Sequence, residues 1–318
     1  MHSEPLWRRT PPAIFPVCLG LMGLGLGWRN AAEFLPLASD IGGLLLGLGS
    51  AHFLFFAALY VRKLAARPMV LFEDMTNPAA RAGVAAAAMS MMLLAAALLP
   101  FGISVPQVWW TGVILQIGAS AIVCHAIWRD APEHRQFSPF QYLTFVGPIV
   151  GPIAGIPLGY VRESIWLTFA ALVAFVVITF GNGWQMKRTG IALNLRPTLA
   201  IFLASNCLFA ISFGLLGFDG AFALFYGISN LVALILLLRV RWLIRGGWSP
   251  SWASFTFPAA SFVNLQVLAT EKGAGVWAEI GVYAGITVAT PLILLIAYRF
   301  VLMWVTGELS DVTEAAVA

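Results

Sequence analysis

Apolar residues in this chain neither alternate nor recur as a narrow stripe. They run on for about 17 to 25 residues at a time and stop at charges or turn residues, the length a helix needs to cross a hydrocarbon core of about 30 Å. Ten such runs are present, at 13–28, 38–60, 82–99, 106–127, 139–158, 163–184, 198–216, 219–238, 252–269 and 276–299. The pattern predicts an all-α integral membrane protein: residues 1–318 as one ten-span membrane domain, with short ends at 1–12 and 300–318. Gly27-Trp28-Arg29 follows the first run in place of a small-residue cleavage site, so that run reads as a mature span and not a signal peptide.

Charge gives the runs a direction. Of the 18 Lys and Arg residues, 15 fall in the N-terminal segment, in the loops after even-numbered spans and at the end of the last span, Arg135 among them; only Arg29, Arg162 and Lys272 fall on the opposite face. The positive-inside rule then places both termini in the cytoplasm, in a plasma membrane or the inner membrane of a bacterium. The longer connections share that face, so consecutive spans pair as five helical hairpins whose first helices begin near residues 13, 82, 139, 198 and 252.

Composition removes other classes. With 60% hydrophobic and 10% charged residues, against roughly 25% charged in a soluble domain, the chain cannot cover a water-soluble globule. A net charge of +4 without a basic cluster gives no nucleic-acid surface. Cys18, Cys124 and Cys207 are far apart in apolar runs, which offers no disulfide framework and no metal or redox pair. There is no HExxH, no paired carboxylate and no phosphate loop, so neither an enzyme nor a bound cofactor or metal is expected. The Gly23, Gly25, Gly27 run lies inside an apolar helix and reads as close helix packing, as do Gly43 with Gly47 and Gly147, Gly151 with Gly155.

The odd-numbered spans carry the features that lipid would waste. They hold Pro16, Pro148, Pro152, Pro157 and Pro258, which free carbonyls that protein or a water-filled cavity must satisfy. On span nine, Ser254, Phe257, Ser261 and Asn264 share one face, and on span seven Thr198, Phe202, Ser205, Phe209 and Ser212 do. These stripes read either as the lining of a pathway with Phe257 standing in it, or as packed helix interfaces with phenylalanine as filler.

Trp252-Ala253-Ser254-Phe255-Thr256-Phe257-Pro258 resembles the ninth helix of the tellurite-resistance/dicarboxylate transporter family, which includes the slow-type anion channels of plant guard cells. Phe15-Pro16 and Gly20-Leu21 ahead of Trp28, and Ser138-Pro139-Phe140 leading into Gly147-Pro148-Ile149-Val150-Gly151-Pro152, carry the same resemblance across all ten spans. It implies five hairpins around a central pore with odd-numbered helices inside, a homotrimer in membrane lipid, and passage of small inorganic or organic anions. It also implies Phe257 as pore gate and Pro258 as its hinge, with Ser254, Ser261, Asn264, Phe202, Ser205, Phe209, Pro148, Pro152 and Phe15 along the pore. A carrier of the same fold, moving a dicarboxylate, sulfite or a tellurite-related oxyanion, is the alternative; a ten-span metabolite exporter is more distant. The long regulatory tails of the plant members have no counterpart in the residues at either end.

Overall fold

The computed structural model describes residues 5–129 and 137–318; Arg135, counted above on the basic face, lies outside them. In chain order the helices are α1 (Phe15–Ala31), α2 (Ser39–Ala66), α3 (Val70–Asp74), α4 (Pro78–Leu98), α5 (Pro106–Arg129), α6 (Gly151–Gly155) and α7 (Val161–Thr189). They continue as α8 (Ile201–Leu215), α9 (Asp219–Leu238), α10 (Val240–Leu243), α11 (Ala253–Glu271), α12 (Val276–Val305) and α13 (Glu308–Val312). No strand occurs among the described residues.

Among the described residues, eight helical stretches are long and apolar enough to cross a membrane: Pro12–Ala31, Ser39–Ala66, Pro78–Phe101, Pro106–Arg129, Val161–Thr189, Leu193–Leu215, Asp219–Leu238 and Val276–Val305. The other two predicted spans are helical but differ in kind. The ninth, α11, is diluted by Ser254, Thr256, Ser261, Asn264, Gln266 and Thr270. The fifth is short and broken: a π-turn over Tyr142–Val146 passes into a 3-10 turn over Gly147–Val150 and then into α6.

The break has an identifiable cause. Pro148 has no N–H to give the carbonyl of Thr144, four residues earlier, and an open carbonyl in this environment costs several kcal/mol on the order of a full desolvation. Helix α5 supplies the missing donors. Gln116 Nε2 donates to the carbonyls of Thr144 at 2.8 Å and Leu143 at 3.1 Å, and Ser120 Oγ donates to Thr144 at 2.7 Å. A Cβ at Gly147 would lie 2.6 Å from Gln116 Nε2, so only glycine lets the amide in. One turn on, the Trp109 indole donates to the carbonyl of Gly151 at 2.9 Å.

Burial divides the helices as their polarity does. In the most apolar window of the stretches ending in α1, α4 and α8, 78%, 72% and 83% of residues are inside the protein; for α2, α5, α7, α9 and α12 the share is 11–33%. Helix α11 is buried along most of its length. The poorly buried helices expose Leu48, Ile114, Val173, Phe180, Leu234, Leu238 and Val288, an apolar outer surface suited to hydrocarbon. Neighbours in sequence pack most extensively as α1 with α2, α4 with α5, α8 with α9 and α11 with α12; α1 also packs extensively on α11, and α11 on α8.

Glycine permits the closest of these approaches. Gly20, Gly23 and Gly27 of α1 face Thr256, Ala260 and Val263 of α11; a Cβ at Gly23 would be 3.1 Å from that of Ala260, one at Gly27 would be 2.8 Å from Val263 Cγ1, and one at Gly20 would collide with Thr256. Gly25 instead faces the backbone of Leu46 on α2. The expected contacts at Gly43 and Gly47 are absent, since both look into open space; Gly42 and Gly49, on the neighbouring face of α2, meet α1 instead. Gly147, Gly151 and Gly155 are close contacts as expected.

The two chain ends meet on one face. Arg9 pairs with Asp311, the Ala318 N–H donates to the Arg8 carbonyl, and the Arg67 guanidinium donates to the Val317 carbonyl. Beneath them lies a buried pair outside every sequence expectation: Lys63 Nζ stands 3.7 Å from Asp74 Oδ2 and donates to the Thr10 carbonyl at 3.0 Å. Asp74 also accepts from the Tyr60 hydroxyl at 2.9 Å and the Ala316 N–H at 3.0 Å. Burial raises the Asp74 carboxyl above its ordinary value, and the Lys63 charge opposes the rise.

Because Gln116 serves two freed carbonyls, Gln116→Leu should cost about 1–3 kcal/mol, read as a lower thermal midpoint in detergent. Gln107→Leu, at an exposed position of the same helix, is the control and should leave the midpoint unchanged.

Candidate functional site

Two cavities lie along the buried helices, one on the side of the chain ends and one on the opposite side, with volumes of about 220 Å3 and 280 Å3. The proximal cavity is bordered by Ser205, Ser249, Ser251, Ser254, Asn77, Asn194 and Thr313, and among the described residues no Asp, Glu, Lys or Arg contributes to it. The distal cavity is bordered by Asn30, Ser261, Asn264 and, at its exposed rim, Glu33 and Glu271. Phe257 borders both.

Helix α11 places these groups by its own period. Ser254 opens into the proximal cavity, Phe257 lies one turn on, and Ser261 and Asn264 open into the distal one. Hydrogen bonds fix its height against α1: Thr256 Oγ1 donates to the Pro16 carbonyl at 3.0 Å, and Asn264 Nδ2 donates to the Gly23 carbonyl at 2.7 Å and to Ala260 at 2.8 Å. The Phe257 ring is 8% exposed and rests on α1, where a Cβ at Gly23 would be 3.5 Å from its Cδ2 and Cε2. Ser261 Oγ, on a residue 3% exposed, is a buried hydroxyl with no hydrogen-bond partner within the protein. Pro258 borders the proximal cavity, and the helix runs through it unbroken.

Other expected lining residues lie elsewhere. Ser205 borders the proximal cavity, but Phe202 and Phe209 from the same stripe border neither. Phe202 stacks on Phe175 of α7 with ring centroids 5.5 Å apart, and Phe209 meets Phe175 and Phe225 edge-on or tilted at 5.1 and 5.2 Å. Phe15 packs against Phe53 and Tyr60 of α2 and is 1% exposed. Pro148 and Pro152 touch neither cavity; their neighbours Gly147 and Ile149 border one, Ile153 and Pro157 the other.

The inward face of α8 is Ile201, Ala204, Ser205, Leu208, Ile211 and Leu215. It has the i, i+3, i+4, i+7 spacing of a helix face, but a search for hydroxyl-bearing stripes passes over it. Val312 and Thr313 of the C-terminal segment, Glu33 and Glu271 were likewise not expected as lining. Chemically, each cavity is lined mostly by apolar side chains with a few hydroxyl and amide groups among them, and the two meet at apolar side chains, an arrangement of the kind that can close to ions without a plug of charge. No cluster of His, Cys, Asp or Glu among the described residues could hold a metal ion.

The profile of the SLAC1 family, described as voltage-dependent anion channel, matches residues 9–306. The chain belongs to this family. A curated relative, the "Tellurite resistance protein TehA homolog" of Haemophilus influenzae, is 23% identical over 262 residues, which is 80% of this chain and 79% of the relative. A SLAC1-family member is an anion transporter or channel and not an enzyme, so the paired cavities belong to an integral membrane protein of anion transport.

Proposed function

We propose that the chain is an anion channel whose ten spans, five hairpins deep around a central pore, pass small inorganic or organic anions between the two cavities, with Phe257 as the gate. The observation that carries this reading is the position of Phe257, the one residue of the Ser254–Asn264 stripe common to both cavities. The absence of fixed charge among the described residues of the proximal cavity supports loose selectivity, since hydroxyl and amide donors suit many anions and those residues offer a desolvated cation no carboxylate. It also weighs against the second reading, a coupled carrier for a dicarboxylate, sulfite or tellurite-related oxyanion, because proton- or sodium-coupled carriers keep an ionisable relay within the membrane. Saturable flux that depends on a proton gradient would favour the carrier.

In this reading α11 and the broken stretch at 142–155 complete the ten spans inside the bundle, where neither has to be as long or as apolar as a helix facing lipid. Both ends of the chain are cytoplasmic, following the 15-to-3 division of basic residues. The assembly is a homotrimer with one pore per subunit, the exposed aromatic and aliphatic surface of the outer helices meeting lipid and neighbouring subunits.

Planar-bilayer recording tests the gate. Phe257→Ala should raise anion conductance several-fold with a near-unchanged melting midpoint, since a pore-facing ring leaves space that water fills; a dry core position would lose about 3–5 kcal/mol. Unfolding without added current would make the ring core filler. A cysteine introduced between 100 and 105, with Cys124 removed, should react with an impermeant thiol reagent from outside the cell; protection there overturns the orientation. Detergent-corrected light scattering should give three times the chain mass, and a monomer would remove the assembly while leaving the pore.

A further inference from the structure

Two side chains, not one, border both cavities: Phe257 of α11 and Leu208 of α8. Every other lining residue belongs to a single side. Leu208 is 3% exposed and sits between Ser205, which borders the proximal cavity, and Ile211, which borders the distal one. It is therefore at the same level of the path as Phe257, on a different helix.

The surroundings of the ring make this pairing consequential. Toward α1 the ring faces Gly23, where a Cβ would sit at ordinary van der Waals distance, 3.5 Å, from two ring carbons, so that side leaves room for no more than about a methyl group and little retreat for a ring. Helix α1 cannot yield easily, because α11 is hydrogen-bonded to it above and below the ring, at Pro16 and Gly23. A rotation that clears the path must carry the ring into one of the cavities, past whatever shares the constriction. That neighbour is an isobutyl group with staggered alternatives of its own.

We infer that Leu208 is the second half of the closure, so that the path is shut by a Phe257–Leu208 pair and its open width is set from both helices. The inference rests on the gate reading above. An apolar constriction excludes ions by staying dry, and drying depends on width; removing either side chain widens it. Once one is gone, the other closes against nothing. The effects of truncating both should therefore be strongly non-additive, as for groups that act as a unit.

Conductance in planar bilayers, with melting midpoints as a folding control, is compared for the full-length protein, Leu208→Ala, Phe257→Ala and the double variant Leu208→Phe with Phe257→Ala. Leu208→Ala should raise conductance several-fold, by less than Phe257→Ala does. In the Phe257→Ala background, Leu208→Phe should bring the current back toward the wild-type level, because a ring supplied from α8 refills the constriction from the other side. A folded double variant as conductive as Phe257→Ala, together with a Leu208→Ala current equal to wild type, overturns the inference. If Phe257→Ala itself changes nothing, the gate reading fails separately, and Leu208→Ala decides alone: a rise assigns closure to Leu208, and no rise removes it. Should Leu208→Ala fail to fold, Leu208→Val is recorded in its place, with a smaller rise expected and an unchanged current contradicting the pair.

Discussion

Along the contact of α1 with α11, one partner presents almost no side chains: Gly20, Gly23 and Gly27 offer bare backbone to Thr256, Ala260 and Val263. In a lipid solvent there is little hydrophobic gain in bringing two apolar helices together, so close backbone approach and interhelical hydrogen bonds have to supply the attraction. Both are present. Thr256 and Asn264 donate across the interface to carbonyls of Pro16 and Gly23, and the Phe257 ring lies between those two anchors. The placement of that ring between the two cavities thus depends on a glycine face on another helix, 230 residues and more away in sequence.

A second constraint is set by the carbonyls that proline leaves open. In the interior of the bundle those of Leu143 and Thr144 are met by Gln116 and Ser120 of α5, and Trp109 of the same helix donates to the Gly151 carbonyl. This explains how a stretch too broken to stand in lipid survives among unbroken helices. It also assigns Pro148 a shape-giving role, since the Thr144 carbonyl it frees is met by α5.

Much of the architecture was legible because membrane helices announce themselves by length and hydropathy, and most predicted boundaries fall within a few residues of the observed helix ends. The face of α11 was legible because hydroxyls, an amide and one ring recur at helical spacing, an arrangement lipid would waste. On α8 the two readings of the hydroxyl-bearing stripe divide: Ser205 borders the proximal cavity, whereas Ser212 donates to the Ile149 carbonyl, and Phe202 and Phe209 join a ring cluster with Phe175. The inward face of α8 is largely aliphatic, and periodicity alone cannot tell an apolar surface that closes a path from one that packs. The Lys63–Asp74 pair was invisible for another reason, since both residues fall in a stretch that reads as a loop; only the fold of α3 and the C-terminal segment buries them.

The central claim is that the path is interrupted at one level, between Ser254 and Ser261. Single cysteines at these two positions, in protein of known orientation and with the native cysteines removed, test it directly with a small impermeant thiol reagent applied to one side at a time. The account predicts that the residue 254 thiol reacts only from the side of the chain ends and the residue 261 thiol only from the opposite side. Reaction of either thiol from both sides, or of both thiols from the same side, would contradict it.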